Sequence, residues 1–293
     1  MTNRSHPDRC PGVLRPWIAG DGAIVRLRLV GGVLQTSALR DLVGIAADYA
    51  DGTILLTKRT NLQLRGIDHS DGCVPAVLVD AIAESGLLPS PSHELVRNIM
   101  VSPLTGRVAG RADLRETART LDHLLCAEPD FAALAGRFLF VLDDGRGDVS
   151  SRSLDLGLMA VDAETAQLRA GSHHWGPLVP LDEAPGALLS YAAAFLASRG
   201  DGETALWHVD ELPEGGAELL GIHHARDLRT QVSALPPPYG IIAQDDGRSA
   251  EHLAVPDGLL TPELAAEILG RAGSEVIVTP WRSIVIPDLE SAP

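Results

Sequence analysis

The feature that most constrains this chain is an internal repeat. Near the start, Asp21–Gly22 precedes Ala23–Val30, where Val25, Leu27 and Leu29 alternate with Arg26 and Arg28. That period of two predicts a strand buried on one face. Gly31–Gly32 turns the chain, and Thr36 or Ser37 can cap a helix carrying Leu39, Leu42, Val43, Ala46 and Ala50 at helical spacing, ended by Gly52. Thr53–Thr57 and Leu62–Ile67 read as strands around a polar bend, and a second helix is expected around Ala76–Glu84. Beyond Val232 the plan recurs. Asp246–Gly247 echoes the first turn, Pro262–Gly270 echoes the first helix, and Val276-Ile-Val-Thr-Pro-Trp-Arg-Ser-Ile-Val-Ile echoes Ile54-Leu-Leu-Thr-Lys-Arg-Thr-Asn-Leu-Gln-Leu. From Gly22 to Thr57 is 35 residues, and from Gly247 to Thr279 is 32. Copies so far apart in sequence are expected to pair about a pseudo-twofold, each completing the other's sheet.

A different module lies between them. Helical patterns span Leu114–Cys126 and Ala187–Ser198, and strands are expected at Phe138–Leu142, Leu156–Val161 and Ala205–Val209. Pro236-Pro-Pro marks the boundary into the second copy. The expected organisation is a tail (1–11), a first half-domain (12–86), an α+β domain (87–231) and a second half-domain (232–293), giving an α+β fold class.

Charge narrows the partners. With 24 basic and 39 acidic residues the net charge is −15, which repels polyanions, so no nucleic-acid partner is expected. The longest apolar stretch, Gly186–Ala197, is short of a membrane span and carries Ser190, and Met1–Pro11 has no apolar signal core. The expectation is a cytoplasmic protein with no membrane partner. Lys58 is the single lysine, so any basic pocket here is built from guanidinium forks, which suit carboxylates. Cys10, Cys73 and Cys126 are too widely spaced for a self-contained metal motif and read as free thiols. No metal site is expected.

Three polar clusters could carry chemistry. In Thr57-Lys-Arg-Thr-Asn-Leu-Gln-Leu-Arg-Gly, the side chains of Thr57, Arg59, Asn61, Gln63 and Arg65 share one parity and could form a carboxylate-binding face, though a bend at Thr60–Asn61 would break it. The alternative is a solvated sheet face. Arg97 and Asn98 precede an apolar run and could orient an anion, or Arg97 could cap carbonyls at a helix end. Arg137 precedes a buried strand that runs into Asp143–Asp148, a turn able to hold a cation through oxygen ligands or to serve as a plain Asp-Gly turn. His173–His174 and His223–His224 read as surface or packing histidines. No phosphate loop or nucleophile elbow is present.

These strings, in order, resemble the nitrite/sulfite reductase superfamily, and within it the precorrin-3B synthase branch. The resemblance rests on Arg15-Pro-Trp-Ile-Ala-Gly-Asp-Gly, Thr57-Lys-Arg-Thr-Asn-Leu-Gln-Leu-Arg-Gly-Ile, Val96-Arg-Asn-Ile-Met-Val-Ser-Pro, Gly136-Arg-Phe-Leu-Phe, Trp207-His-Val-Asp-Glu-Leu and Val278-Thr-Pro-Trp-Arg-Ser. It implies two ferredoxin-like half-domains related by a pseudo-twofold, with a reductase-type α+β domain. It also implies oxygen-dependent hydroxylation of precorrin-3A with lactone formation. Arg59, Asn61, Gln63, Arg65, Arg97, Asn98, Arg137 and Arg282 would then bind an anionic tetrapyrrole. The basic pair of the reductases maps onto Arg137 and Leu139, so only its first charge survives, which argues against nitrite or sulfite reduction. The resemblance implies a 4Fe-4S cluster in full-length relatives and leaves non-haem iron open as a further cofactor. Three cysteines cannot supply four cluster ligands, so the chain is expected to hold no cluster, as a truncated or short form ending before a cluster domain. The alternatives are a non-catalytic tetrapyrrole-binding or interaction protein and a sirohaem reductase fragment. Arg59→Ala and Arg97→Ala are expected to weaken tetrapyrrole binding without unfolding the chain.

Overall fold

A computed structural model describes residues 8–290. They form two compact units, one of residues 10–94 with 237–290 and the other of residues 95–236 with 8 and 9.

The first repeat supplies β1 (Trp17–Ala19), β2 (Gly22–Leu27), β3 (Val33–Gln35), α1 (Thr36–Tyr49), β4 (Ile54–Leu56), β5 (Leu62–Ile67) and α2 (Ala76–Glu84). α1 buries Ala38, Leu39, Leu42, Ile45 and Ala46, the apolar stripe that the helical spacing predicts. Thr36 does not cap α1 with its side chain. Its hydroxyl instead donates to the carbonyls of Gly273 (2.9 Å) and Ser274 (3.2 Å), tying the helix start to the second repeat. At the other end Gly52, at φ 84°, donates its N–H to the Ala46 carbonyl.

The central unit supplies β6 (Ile99–Val101), α3 (Arg115–Ala127), β7 (Phe140–Asp143), β8 (Leu156–Ala160), β9 (Thr165–Ala170), β10 (His174–Pro180) and α4 (Ala184–Ser198). Its sheet runs β10-β9-β8-β7-β6, parallel at β6–β7–β8 and antiparallel beyond. Phe138, Phe140 and Phe195 pack together, with ring centroids 5.3 and 5.2 Å from Phe138. Met100, Leu139, Val141, Val149 and Leu154 form a separate buried cluster.

The strand expected at Ala205–Val209 is absent, and short 3-10 turns at Gly202–Thr204 and Val209–Glu211 flank it. Side chains claim the backbone donors that a ladder would use. Glu211 Oε2 accepts from Trp207 N (2.8 Å) and His208 N (3.3 Å), His208 Nδ1 accepts from Asp210 N (3.1 Å), and Asp155 Oδ1 accepts from Val209 N (2.9 Å).

The second repeat supplies β11 (Gly240–Ala243), β12 (Ser249–Ala254), β13 (Leu259–Leu260), α5 (Pro262–Leu269), β14 (Glu275–Val278) and β15 (Ser283–Leu289). Thr261 caps α5 by accepting from Leu264 N, with Pro262 in the first turn. The two repeats exchange a strand. One sheet runs β1-β2-β5-β4-β13 and the other β11-β12-β15-β14-β3. Leu34 of the first repeat pairs with Val276 of the second, and Leu260 of the second pairs with Ile54 of the first. One apolar core draws on both repeats, from Leu39, Leu62 and Leu64 to Val276, Ile284 and Ile286. No described helix is long and apolar enough to cross a membrane.

Candidate functional site

The Thr57–Asn61 and Thr279–Ser283 turns share their backbone bonding. Thr57 N donates to Asn61 O and Thr279 N to Ser283 O, both at 2.9 Å. Arg59 N and Trp281 N each donate to the preceding threonine hydroxyl at 3.3 Å. Thr60 (φ 57°) and Arg282 (φ 61°) occupy the same left-handed position. The symmetric counterpart of Arg59 is therefore Trp281, and that of Arg282 is Thr60.

This turn corrects the expected shared face. Arg59 sits half-buried in the turn, ahead of β5, while Gln63 and Arg65 lie on β5 opposite the core-facing Leu62 and Leu64. The left-handed Thr60 breaks the strict alternation that would have aligned all five side chains. Gln63 stands opposite Arg26 on β2 and accepts from its Nη2 (3.3 Å). Arg65 pairs with Asp21 (3.0 Å) at the surface. Asn61 is fully buried and its Oδ1 accepts from Leu29 N (3.1 Å). Arg282 donates to the carbonyls of Leu56 (3.1 Å) and Asp257, so it holds the two repeats together.

In the central unit, Arg97 forms a two-pronged pair with Asp122 of α3, both contacts at 2.7 Å, with its side chain 9% exposed. Burial works against its charge, and Asp122 more than restores it, so the guanidinium is held charged above its ordinary range. Arg97→Ala would strand Asp122, so the expectation that it leaves folding intact is revised: Arg97 supports the fold. Asn98 donates to Leu95 O and Gly136 O, both 3.1 Å. Arg137 is exposed at the start of the β7 segment. Leu139 is 3% exposed inside the Met100–Val141–Val149–Leu154 cluster.

At the end of β7 and just beyond it, Asp143, Asp144 and Asp148 are all buried, with one oxygen of each within 4.8 Å of the others. Asp143 Oδ1 accepts from Gly145 N (2.9 Å) and Gly147 N (2.8 Å), and Asp144 Oδ2 accepts from Arg146 Nη2 (2.8 Å). Asp148 Oδ1 accepts from Ser102 Oγ (2.7 Å), while its Oδ2 has no hydrogen-bond partner. Burial first, then the Asp143 charge, pushes Asp148 up to about 7, and burial also raises Asp143. An Asp-Gly turn reading thus understates a strongly coupled acid cluster into which Arg146 already projects.

The residues do not fit an iron–sulfur cluster. Cys10 and Cys73 lie in one unit and Cys126 in the other, where its Sγ is 4.0 Å from Asp122 Oδ1. Among the described residues, the group of three or more side chains close enough to share an ion is the oxygen-only aspartate cluster, which is the wrong donor set for such a cluster.

Residues 18–72 match the family described as Nitrite/Sulfite reductase ferredoxin-like half domain. The first repeat is thus similar to such a half domain. Among curated proteins, the chain is 31% identical over 144 residues to a ferredoxin–nitrite reductase of Leptolyngbya laminosa (47% of this chain, 28% of that protein). It is 32% identical over 154 residues to a precorrin-3B synthase of a Sinorhizobium species (52% of this chain, 32% of that protein). In structure it resembles the Mycobacterium tuberculosis NirA protein, with a TM-score of 0.73 at 21% identity, covering 92% of this chain and 54% of NirA. That likeness shows the mixed α+β fold. The matched part spans about a third or less of each of these curated relatives.

One basic site was not legible in the sequence. Arg169 on β9 stands opposite Trp175 on β10, and Arg226, 57 residues further on, reaches the same indole ring. The alternation in Ala166-Gln-Leu-Arg signals which side chains share a face, but nothing local announces Arg226.

Proposed function

We propose that the chain is a tetrapyrrole-handling oxidoreductase component of the precorrin-3B synthase type, acting in the oxygen-dependent hydroxylation and lactone formation of precorrin-3A. The 32% identity to a precorrin-3B synthase and the half-domain match support this reading. The observation that carries it over nitrite or sulfite reduction is Leu139. Where the reductases are expected to carry a second cation, this chain buries an aliphatic side chain in an apolar cluster. The remaining guanidiniums suit the separate carboxylates of a large acidic macrocycle better than one small inorganic anion.

Arg59, half-buried in the turn ahead of β5, and Arg137, exposed at the start of the β7 segment, are the side chains to test, each within its own unit. Each is proposed to hold a substrate carboxylate within its own unit. Titration with uroporphyrin, a stable acid-rich tetrapyrrole, followed by absorption, should saturate. Arg59→Ala and Arg137→Ala, read separately, should each weaken it about tenfold or more, the loss expected for a charge-assisted contact. Unchanged affinity in both variants would remove these residues from the site.

A further inference from the structure

In the central unit a cavity of about 370 Å³ is lined by Ser150, Arg169, Ser172, His173, Trp175 and Arg226. The cross-strand ladder sets its floor. Val141, Gly157, Arg169 and Trp175 stand directly opposite one another across β7, β8, β9 and β10. Arg169 lies against the Trp175 ring with its guanidinium carbon 5.0 Å from the centroid, and Arg226 lies 4.8 Å from it.

The second arginine is placed by a built device. Gln167, two residues before Arg169 on β9, donates to Gly176 O (3.0 Å) and Ala225 O (2.8 Å) and accepts from Asp227 N (2.8 Å). It thereby clamps the residues on both sides of Arg226. Arg226 is steadied by Thr230, donating through Nε to its hydroxyl (2.9 Å) and through Nη2 to its carbonyl (2.6 Å).

One buried donor of this cavity is unanswered. Arg169 is only 8% exposed, and its Nη1 and Nη2 donate to Ser150 O (2.8 Å) and Ser172 O (3.3 Å), yet its Nε has no hydrogen-bond partner. The two serine hydroxyls spend their protons elsewhere, on Gly147 O (2.8 Å) and Asp210 Oδ2 (2.5 Å). Burial, together with the like charge of Arg226, drags Arg169 down to about 10 despite the opposing pull of Asp143 and Asp210. Two cations held close on one aromatic ring, one of them with a buried unanswered N–H, need an anion.

We propose that this cavity binds a small metabolite through a carboxylate or phosphoryl group seated against Arg169 and Arg226. Both oxyanions present an oxygen edge that matches a guanidinium fork. The cavity volume exceeds a bare ion and lies at the small end of metabolite pockets. The site is independent of the tetrapyrrole reading, which turns on other residues.

Calorimetric titration of the whole chain with succinate and with inorganic phosphate, at constant ionic strength in chloride, tests it. Saturable binding of at least one is expected, and the tighter of the two identifies the head group. Arg226→Gln, an exposed position whose loss should spare the fold, should weaken that binding about tenfold or more. Gln167→Ala should weaken it too, by releasing the segment that carries Arg226. Arg119→Gln, on the exposed face of α3, should leave it unchanged. No saturable heat with either anion, or equal affinity in wild type and Arg226→Gln, would overturn the proposal.

Discussion

Arg97 and Asp148 show how a partner decides what a charged residue is for. Arg97 looked like an anion ligand by position, and Asp122 turns it into a strut between the β6 segment and α3. Asp148 has the opposite problem: buried beside Asp143, with one oxygen lacking a hydrogen bond and Arg146 Nε no nearer to it than 3.9 Å, it favours its neutral form. Its folded-state value of about 7 lies above the ordinary carboxylate value of 3.8, so between those values the native state holds more protons than the unfolded chain. The stability it contributes is complete below the lower value and is lost as pH rises through about 7. Urea unfolding at pH 6 and pH 8 should therefore show the wild type losing stability on the way up, by roughly 1 kcal/mol. Asp148→Asn should flatten that slope. Equal slopes in the two proteins would show that the cluster titrates elsewhere.

At the scale of elements, the strand exchange rests on two glycines. Gly32 (φ 73°) and Gly258 (φ 71°) are equivalent turn positions ahead of the exchanged strands β3 and β13. A Cβ at Gly32 would meet the Val278 carbonyl oxygen of β14, whereas one at Gly258 would meet the guanidinium of Arg282. Both substitutions pay the left-handed penalty, about 1–2 kcal/mol. Only the first also drives into the partner repeat's backbone, which cannot swing aside as a side chain can. Thermal unfolding should rank Gly32→Ala as clearly more damaging than Gly258→Ala. Equal losses would mean that the strand exchange tolerates displacement of β14.

At the scale of the molecule, the repeats are one folding unit interrupted by an insertion. Each sheet borrows a strand from the other repeat, and every residue of the shared apolar core lies within 13–88 or 255–286. Neither repeat can close its sheet or bury its face alone. A chain joining residues 10–94 to 237–290 through a flexible linker should give the dispersed amide spectrum of a folded protein. Residues 10–94 alone should not. A well-dispersed spectrum from the first repeat by itself would show that the exchanged strands are dispensable.

Local pattern was enough for much of this fold. The alternation of Val25, Leu27 and Leu29, the helical stripe of α1 and the echo between Thr57–Asn61 and Thr279–Ser283 are written in neighbouring residues, because strand and helix periods are short-range properties. Ala205–Val209 was expected as a strand, but Glu211 and Asp155 took the backbone donors of Trp207, His208 and Val209. The destination of each guanidinium was decided by tertiary structure alone. Arg97 meets Asp122 across 25 residues, Arg282 meets Leu56 across 226, and Arg226 reaches Trp175 only because Gln167 clamps its segment. A long flexible cation carries no period of its own, so its role is fixed by whatever distant group the completed fold brings within reach.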